Sequence, residues 1–501
     1  MPSLRSLALL TTLSASLIAQ PDSPVAQPQG EARRSSPSEG GPILTLEDCI
    51  ARALKKNFDL EIQRFGPDIA RDSVEIARSA FIPEFTVSTS RSMSRTAPDG
   101  SSLGTRAEGA DTRVSVTQRF ATGTTATVST RLNRSESNPS FSTLNPAFDA
   151  DLTVSLRQNL LRGLGPEVNR AAIERSRLGV DVANLTYKGR VLDVVQSTEN
   201  AFYNLSFARE QLTVRRFSLA LADRLYEEAK TRRDTGVATD LDVLQAEVGV
   251  ANARRGVILA EQSVKDRQEQ LLALIGQFEL DAEVGAMQIG EVEKTLPVFA
   301  SSYNLAKQNQ PDLQAQQIAV EQLKLDLLVA KDGAKPSLSV GGSLGFSGAD
   351  RAAGNAISDT FERDAQSWQF DLTLTYPWGQ VSDRARLRQS LAGVSREQLR
   401  LRQLEQNIEV QVRAAVRAVE TSYESYQISA MASALSLRQY ELEKARFDAG
   451  LSTSRRVLEA QNDLENARIS ELQSLISLRS ARTALQRLEG SSLQRYGIQL
   501  Q

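Results

Sequence analysis

The chain has 501 residues, with 59 Lys and Arg against 61 Asp and Glu, a net charge of −2. That balance gives no reason to expect nucleic acid as a partner. The sequence has no histidine, and Cys49 is its one cysteine. Histidine-dependent catalysis, His-ligated zinc, an intrachain disulfide and a Cys-rich metal site are therefore excluded. Only 5 % of the residues are aromatic, and the composition predicts long helices rather than a compact enzyme. We therefore expect no catalytic residue, no metal and no cofactor.

The N-terminus has the pattern of a secretory signal peptide. Arg5 precedes an apolar stretch from Leu7 to Ile18 that ends near the small Ala19, which predicts a signal peptide over residues 1–19. A buried N-terminal helix is the alternative. Residues 20–42 are rich in Pro, Ser, Gln and Gly and predict a flexible tether. No later run of about 18 apolar residues predicts a membrane-spanning helix, although a secreted chain can enter a membrane as a closed β-barrel.

The sequence contains an internal duplication. Tyr226–Gln277 aligns without gaps with the segment that starts at Tyr440, and Pro83 aligns with Pro336. Shared Gly and Pro positions favour duplication over chance similarity between two coiled-coil stretches. The predicted divisions are a first repeat over 43–290, a second repeat over 291–490 and a short C-terminal tail over 491–501.

Each repeat predicts a short helix, a β segment, a long helix, a turn and a medium helix. The predicted long helices are 166–233 and 380–447, and the predicted medium helices are 240–276 and 454–489. A 68-residue helix is about 100 Å long. Joining 240–276 to 301–332, and 454–489 to 46–78, gives two broken struts of the same length. Four equal struts predict a wall or cylinder.

The long helix of the first repeat carries a heptad seam. Leu205, Leu212 and Leu219 recur every seven residues, and small alanines stand three positions further on. Such a seam predicts close lateral packing of helices. Arg215 is the exception in the alanine series.

The β segments, at about 83–157 and 336–378, alternate between apolar and polar residues, the pattern of half-buried strands. In a membrane barrel the apolar face contacts lipid, whereas a soluble β-sandwich is the alternative. The predicted membrane-interface aromatic residues are Trp368, Phe370, Tyr376 and Trp378. Two hairpins give four strands, and a membrane barrel needs at least eight, so the prediction requires an oligomer. A trimer supplies twelve strands and twelve helical struts, and residues 111–134 could add a hairpin whose place is open.

This arrangement resembles the TolC-type outer-membrane efflux protein family from Leu44 to Gly490. The resemblance is carried by Leu44–Asp48, Ser155–Leu161, Ala201–Leu205 and two Gly-x-x-Thr turns followed by Val-Leu. It implies a mainly helical homotrimer with a β-barrel in the outer membrane and an α-barrel crossing the periplasm. It also implies an export duct that docks on a periplasmic adaptor, a membrane fusion protein, and on an inner-membrane pump. The duct itself performs no chemistry.

The resemblance further implies that two turns, at 234–236 and 448–450, are periplasmic tips that bind the adaptor. The adaptor-contact candidates are Gly236, Val237, Thr239, Gly450, Leu451 and Thr453. The glycines can take the positive φ that ends a helix, and the threonines can cap the next one. Plain helix-hairpin turns are the alternative.

Some family members narrow the pore with acidic residues just past each tip. Asp242 matches that pattern, whereas Arg456 stands at the equivalent position of the second repeat and Glu459 follows one turn later. We therefore expect Asp242 and Arg456 of neighbouring hairpins to form a salt-bridged constriction. Solvated charges on a helix face are the alternative.

One motif suggests an enzyme. Gly341–Gly345 fits the nucleophile-elbow pattern G-x-S-x-G, but the chain has no histidine base and the segment alternates as a strand. The sequence thus favours an exit duct of a tripartite efflux or type I secretion system. A periplasmic coiled-coil adaptor or scaffold and a helical enzyme are the competing functions, and the cargo stays open.

Overall fold

A computed structural model describes residues 44–95, 106–137, 143–276, 284–285, 287, 295–362 and 365–498. The predicted signal peptide 1–19 and tether 20–42 lie outside the described residues. The first repeat contains α1 Leu46–Lys56, α2 Phe58–Ser79, β1 Glu84–Arg95, β2 Arg106–Arg119, β3 Thr124–Ser137, β4 Ala147–Asn159, α3 Pro166–Asn169, α4 Ala171–Asp234 and α5 Asp240–Leu274. The second contains α6 Phe299–Asn309, α7 Pro311–Gly333, β5 Ser337–Asp350, α8 Ala353–Glu362, β6 Ala365–Thr375, α9 Val381–Asp448, α10 Ser454–Glu489 and α11 Ser492–Arg495.

The helices form a wall one helix thick. α4 packs against α2 and α5 on one side and against α7 and α10 on the other, and α9 packs on α7 and α10. The order across the wall is therefore α2 with α5, then α4, then α7 with α10, then α9. With 64 residues in α4 and 68 in α9, the wall is about 100 Å tall.

Two of the four struts are broken, and the structure corrects how their halves combine. α5 ends on α2, where Asn57 Nδ2 donates to the Leu274 carbonyl at 3.0 Å. α10 ends beside Asn309, the last residue of α6, just before α7 begins at Pro311. The predicted joining of 240–276 to 301–332, and of 454–489 to 46–78, is therefore wrong. The reason is that Asn57, which caps α2, also bonds the end of α5, so the helices of one repeat stack on each other.

Apolar seams between the helices supply the core. Phe202 and Leu205 of α4 are fully buried against Ile50 of α1 and Leu271 of α5. The predicted heptad alanines Ala208, Ala222 and Ala229 are also buried. Arg215, the exception in that series, forms an ion pair with the buried Glu465 of α10. The polar residue thus joins two struts instead of breaking the seam.

The strands form one antiparallel sheet in the order β1-β2-β3-β4-β5-β6. The prediction of four strands per chain is wrong, because residues 111–134 lie in two further strands, β2 and β3. β2 pairs along its length with β1, and β3 pairs along its length with β4. The second repeat also has α8 between β5 and β6. Within the described residues, no helix contains an apolar stretch of the length that a membrane crossing requires.

Candidate functional site

The first tip is the turn between α4 and α5. Gly236 has φ +77°, a conformation that favours glycine, and its amide donates to the Arg233 carbonyl at 2.8 Å. Val237 donates to the Arg232 carbonyl at 2.8 Å, so the carbonyls at the end of α4 are satisfied as the chain reverses. Thr239 is then the N-cap of α5.

Asp242, predicted to line a constriction, closes the first turn of α5. Its carboxylate accepts from the Thr239 amide at 2.9 Å and hydroxyl at 2.7 Å, and its own amide donates to the Thr239 hydroxyl at 3.3 Å. This reciprocal arrangement is a capping box. The bonds from the Thr239 backbone and side chain hold the pKa of Asp242 below its ordinary value.

The second tip, between α9 and α10, has the same backbone and different side-chain bonds. Gly450 has φ +76°, and Leu451 donates to the Arg446 carbonyl at 2.8 Å. Thr453 is the N-cap of α10, but its side chain makes no capping bond. The third helical position is Arg456, and a guanidinium cannot accept a bond from the Thr453 amide.

Within one subunit, the charged residues past the second tip do not pair with those past the first. Glu459 pairs with Arg455 on its own helix at 2.9 Å. Among the ion pairs of the described residues, none joins Asp242 to Arg456 within the subunit. That pair stays a prediction for hairpins of neighbouring subunits.

A contact between the two tips was not foreseen from the sequence. The Arg232 guanidinium lies 3.9 Å from the centroid of the buried Phe447 ring and donates to the Phe447 carbonyl at 3.4 Å. α4 and α9 are therefore linked where both end. The aligned Arg446 instead pairs with Glu443 on its own helix at 3.4 Å. The sequence gives no signal for this difference, because both positions are arginine.

Each tip also exposes an apolar side chain at its extreme end. Val237 is 77 % exposed and Leu451 is 71 % exposed. These two residues occupy equivalent positions of the duplicated turns. The tips therefore present two matching apolar points.

The sheet at the other end of the wall has one apolar face. The pairing aligns one row of apolar residues across all six strands, namely Phe85, Val116, Val128, Val154, Leu344 and Trp368. The opposite face carries ion pairs, including Arg131 with Asp111 and Arg157 with Asp371. The predicted interface residues Phe370 and Tyr376 are exposed, and Trp378 is 96 % exposed. This two-faced sheet fits lipid on one side and water on the other.

The described ranges contain no group of three or more Cys, Asp and Glu residues that could hold a metal ion.

The architecture is thus a two-faced sheet that continues into a helical wall about 100 Å tall, with paired turns at its far end. The chain belongs to the outer membrane efflux protein family, which it matches over residues 49–277 and 302–491. The family resemblance drawn from the sequence is thereby confirmed.

Individual relatives agree with this assignment. The chain is 27 % identical to the pyoverdine export outer membrane protein OpmQ of Pseudomonas aeruginosa, over 60 % of this chain and 62 % of that protein. It is 24 % identical to the outer membrane protein TolC of Vibrio cholerae, over 59 % of this chain and 68 % of that protein. The match to OpmQ thus spans less than two thirds of that protein's length.

The solved outer-membrane channel OprN has the same fold, with a TM-score of 0.69 at 18 % identity and 90 % of each chain covered. The predicted fold class, a mainly helical chain with a membrane β-barrel portion, is confirmed. The predicted location in the outer membrane, with the helical part in the periplasm, is confirmed by the family and its named members.

Proposed function

We propose that this chain is the outer-membrane exit duct of a tripartite efflux or type I secretion system and conducts its cargo passively. The observation that carries the proposal is the continuity of the wall, from a sheet with one apolar face to helices that end in two matching tips. A periplasmic adaptor or scaffold, the competing function, has no use for an apolar row across six strands. No catalytic step is assigned to the duct.

The proposed assembly is a homotrimer, as the family resemblance implies. The two outer struts of the wall carry exposed apolar stripes. On α2 the stripe contains Ile62, Phe65, Ile69 and Ile76, and on α9 it contains Ile428, Met431, Leu435 and Leu442. Both stripes follow the spacing of one helix face. Packing α9 of one copy on α2 and α5 of the next covers them and closes a ring of twelve struts.

The proposed partners are a periplasmic adaptor at the tips and, with it, an inner-membrane pump. Val237 and Leu451 supply apolar contacts, while Gly236, Thr239, Gly450 and Thr453 set the shape of the two turns. Val237→Asp and Leu451→Asp are expected to abolish crosslinking of the duct to its adaptor in whole cells. The matched controls Val237→Ile and Leu451→Met keep the apolar surface and should retain it, and equal loss in both sets would exclude apolar docking.

The proposed constriction pairs Asp242 of one hairpin with Arg456 of a neighbouring subunit, with Glu459 one turn further in. Arg456→Asp should then change single-channel conductance and its preference between cations and anions. Arg456→Lys, which keeps the positive charge at the same position, is the control. Unchanged conductance in Arg456→Asp would contradict the constriction.

The duct as a whole is tested by the native mass of protein extracted from the membrane fraction in detergent, followed by conductance in planar bilayers. We expect a detergent-dependent trimer that resists carbonate washing and forms channels. A monomer or dimer that is released by salt or carbonate and remains soluble without detergent would support the scaffold instead.

A further inference from the structure

The β2–β3 hairpin is built as part of the membrane wall. β2 pairs with β1 from Arg106 to Thr117, and β3 pairs with β4 from Thr124 to Ser135. The hairpin therefore lies between β1 and β4 and separates them.

The two faces of the hairpin continue the two faces of its neighbours. Val114 and Val116 lie in register with Val87 and Phe85 of β1, and Val116 opposes Val128 of β3. The alternate positions carry Arg113 and the ion pair between Arg131 and Asp111. The hairpin thus extends both the apolar face and the charged face of the sheet.

The turn of the hairpin is fixed to the base of the sheet. Asn169 Nδ2 donates to the carbonyls of Ala121 at 3.1 Å, Gly163 at 2.9 Å and Gly165 at 2.8 Å. Gly123, with φ +87°, lies so close to Gly163 that an added Cβ would overlap its carbonyl oxygen. A dangling insertion would need none of these contacts.

The stagger of the sheet matches that of a closed barrel if the start of β1 and the end of β6 lie at one level. Glu84 at the start of β1 connects, strand by strand, through the residues Thr117, Thr127, Ser155 and Ser343 to Gln369 on β6. β6 continues for six residues beyond Gln369, to Thr375. At about 3.3 Å per residue and about 4.8 Å between strands, this offset over five steps corresponds to a tilt of about 40°. Membrane barrels have tilts of about 35–45°.

We propose that all six strands enter the membrane wall and that three copies close it by pairing β6 of one copy with β1 of the next, giving an eighteen-stranded barrel. The proposal rests on the proposed trimeric duct and adds the width of its exit. The occupant of each free edge is a second copy of this chain. β1 is exposed along all twelve residues, and β6 is exposed at all but one position.

The helical wall has its edges on the same two sides. β1 follows α2, the outer strut on one side, and β6 precedes α9, the outer strut on the other. One packing of neighbouring copies therefore closes both layers. This agreement is the reason to assign the free edges to a second copy and not to another protein.

Eighteen strands also make the two layers equally wide. At about 40° tilt, eighteen strands close at a backbone diameter of about 36 Å, and twelve close at about 24 Å. A ring of twelve helices spaced about 9 Å apart has a diameter of about 35 Å. The exit is then as wide as the tunnel beneath it, which suits bulky cargo.

Cysteine labelling in intact cells tests the hairpin. Arg113→Cys and Ser129→Cys lie on the charged face, and Val114→Cys and Val128→Cys lie on the apolar face. We expect a charged, membrane-impermeant thiol reagent to label the first pair at least about tenfold faster. Thr153→Cys and Val154→Cys on β4 are the matched control pair. The native thiol adds little background, because burial raises the pKa of Cys49 to about 11.

Oxidative crosslinking tests the closure. If the ends of β1 and β6 lie at one level, Ser90 faces Gln369 of the next copy, so Ser90→Cys with Gln369→Cys should yield covalent trimers. Ser90→Cys with Trp368→Cys, on opposite faces, is the control and should not. Alternating labels on β4 without alternation on β2 and β3, or a trimer in which the Ser90 and Gln369 pair never crosslinks, would overturn the eighteen-stranded barrel and leave the duct intact. Absence of a trimer would overturn the duct itself.

Discussion

The two tips have the same backbone geometry but different side-chain hydrogen bonds. Both turns use a glycine with φ near +77°, and both helices that follow begin after a threonine. Only the first tip has a capping box, and only its arginine, Arg232, reaches across to the other hairpin. The shared geometry therefore depends on the glycine and the chain reversal, while the polar bonds differ freely between the repeats.

The membrane ends differ more strongly. The first repeat contributes four strands and the second contributes two. The two repeats therefore differ by a hairpin inserted between two strands, while their helices keep the same arrangement. An inserted hairpin is tolerated because its backbone groups pair with the strands on either side.

The largest expected effect concerns the hairpin that only the first repeat has. Gly123→Ala should destabilise the assembly by about 3 kcal/mol or more, because strain at positive φ of about 1–2 kcal/mol adds to overlap with the Gly163 carbonyl. Gly450→Ala, at φ +76° with open space around it, should cost only the strain. The measurement is thermal dissociation of the detergent-solubilised assembly, and equal shifts would contradict docking of the hairpin turn.

A smaller effect is expected where the tips meet. Arg232→Ala removes the cation–π contact with Phe447 and should loosen the tip by about 1 kcal/mol. Arg446→Ala removes only a pair within one helix, in which the guanidinium is exposed, and should cost about 0.5 kcal/mol or less. Amide hydrogen exchange in the last turns of α4 and α9 measures both. Similar exchange in the two variants would mean that the cross-hairpin contact contributes nothing.

The caps provide the next test. Thr239→Ala removes a capping box and should destabilise the start of α5 by about 1 kcal/mol. Thr453→Ala removes a side chain without a capping bond and should change the start of α10 by a few tenths of that. Local unfolding free energies from amide exchange distinguish the two. A larger loss at Thr453 would reverse the comparison.

The smallest expected effect is a dependence on pH at the first tip alone. Because bonds from Thr239 lower the pKa of Asp242 from its ordinary 3.8, its stabilising contribution is complete above that value. It is lost as the pH falls through the lower, folded value. Exchange protection at the start of α5, relative to α10, should therefore fall in that acidic range. Asp242→Asn should remove the dependence, and a persistent dependence would assign it to another group.

Long periodic segments were predictable from the sequence. The helices predicted over 380–447 and 454–489 are found at Val381–Asp448 and Ser454–Glu489. Over such lengths the heptad signal is repeated many times, so single exceptions such as Arg215 do not obscure it.

The strands of the extra hairpin and the joining of the struts were not predictable in the same way. On β3 only Val128 and Leu132 are large apolar residues, and Thr, Ser and Arg separate them, so the period-two signal is weak. Which helix ends meet depends on bonds such as Asn57 to Leu274, across 217 residues. The contact of Arg232 with Phe447 is equally remote in sequence, and no local pattern encodes it.

The exposed edges of β1 and β6 also bear on how the folded subunit is made. A lone subunit presents two rows of unpaired backbone groups beside apolar side chains, which is the surface from which β aggregation starts. Its folding free energy is then inseparable from association, so its stability rises with subunit concentration. In the proposed trimer, a new chain must therefore pair with the correct edge of another copy, or bind a holding factor, before its edges pair in the wrong register.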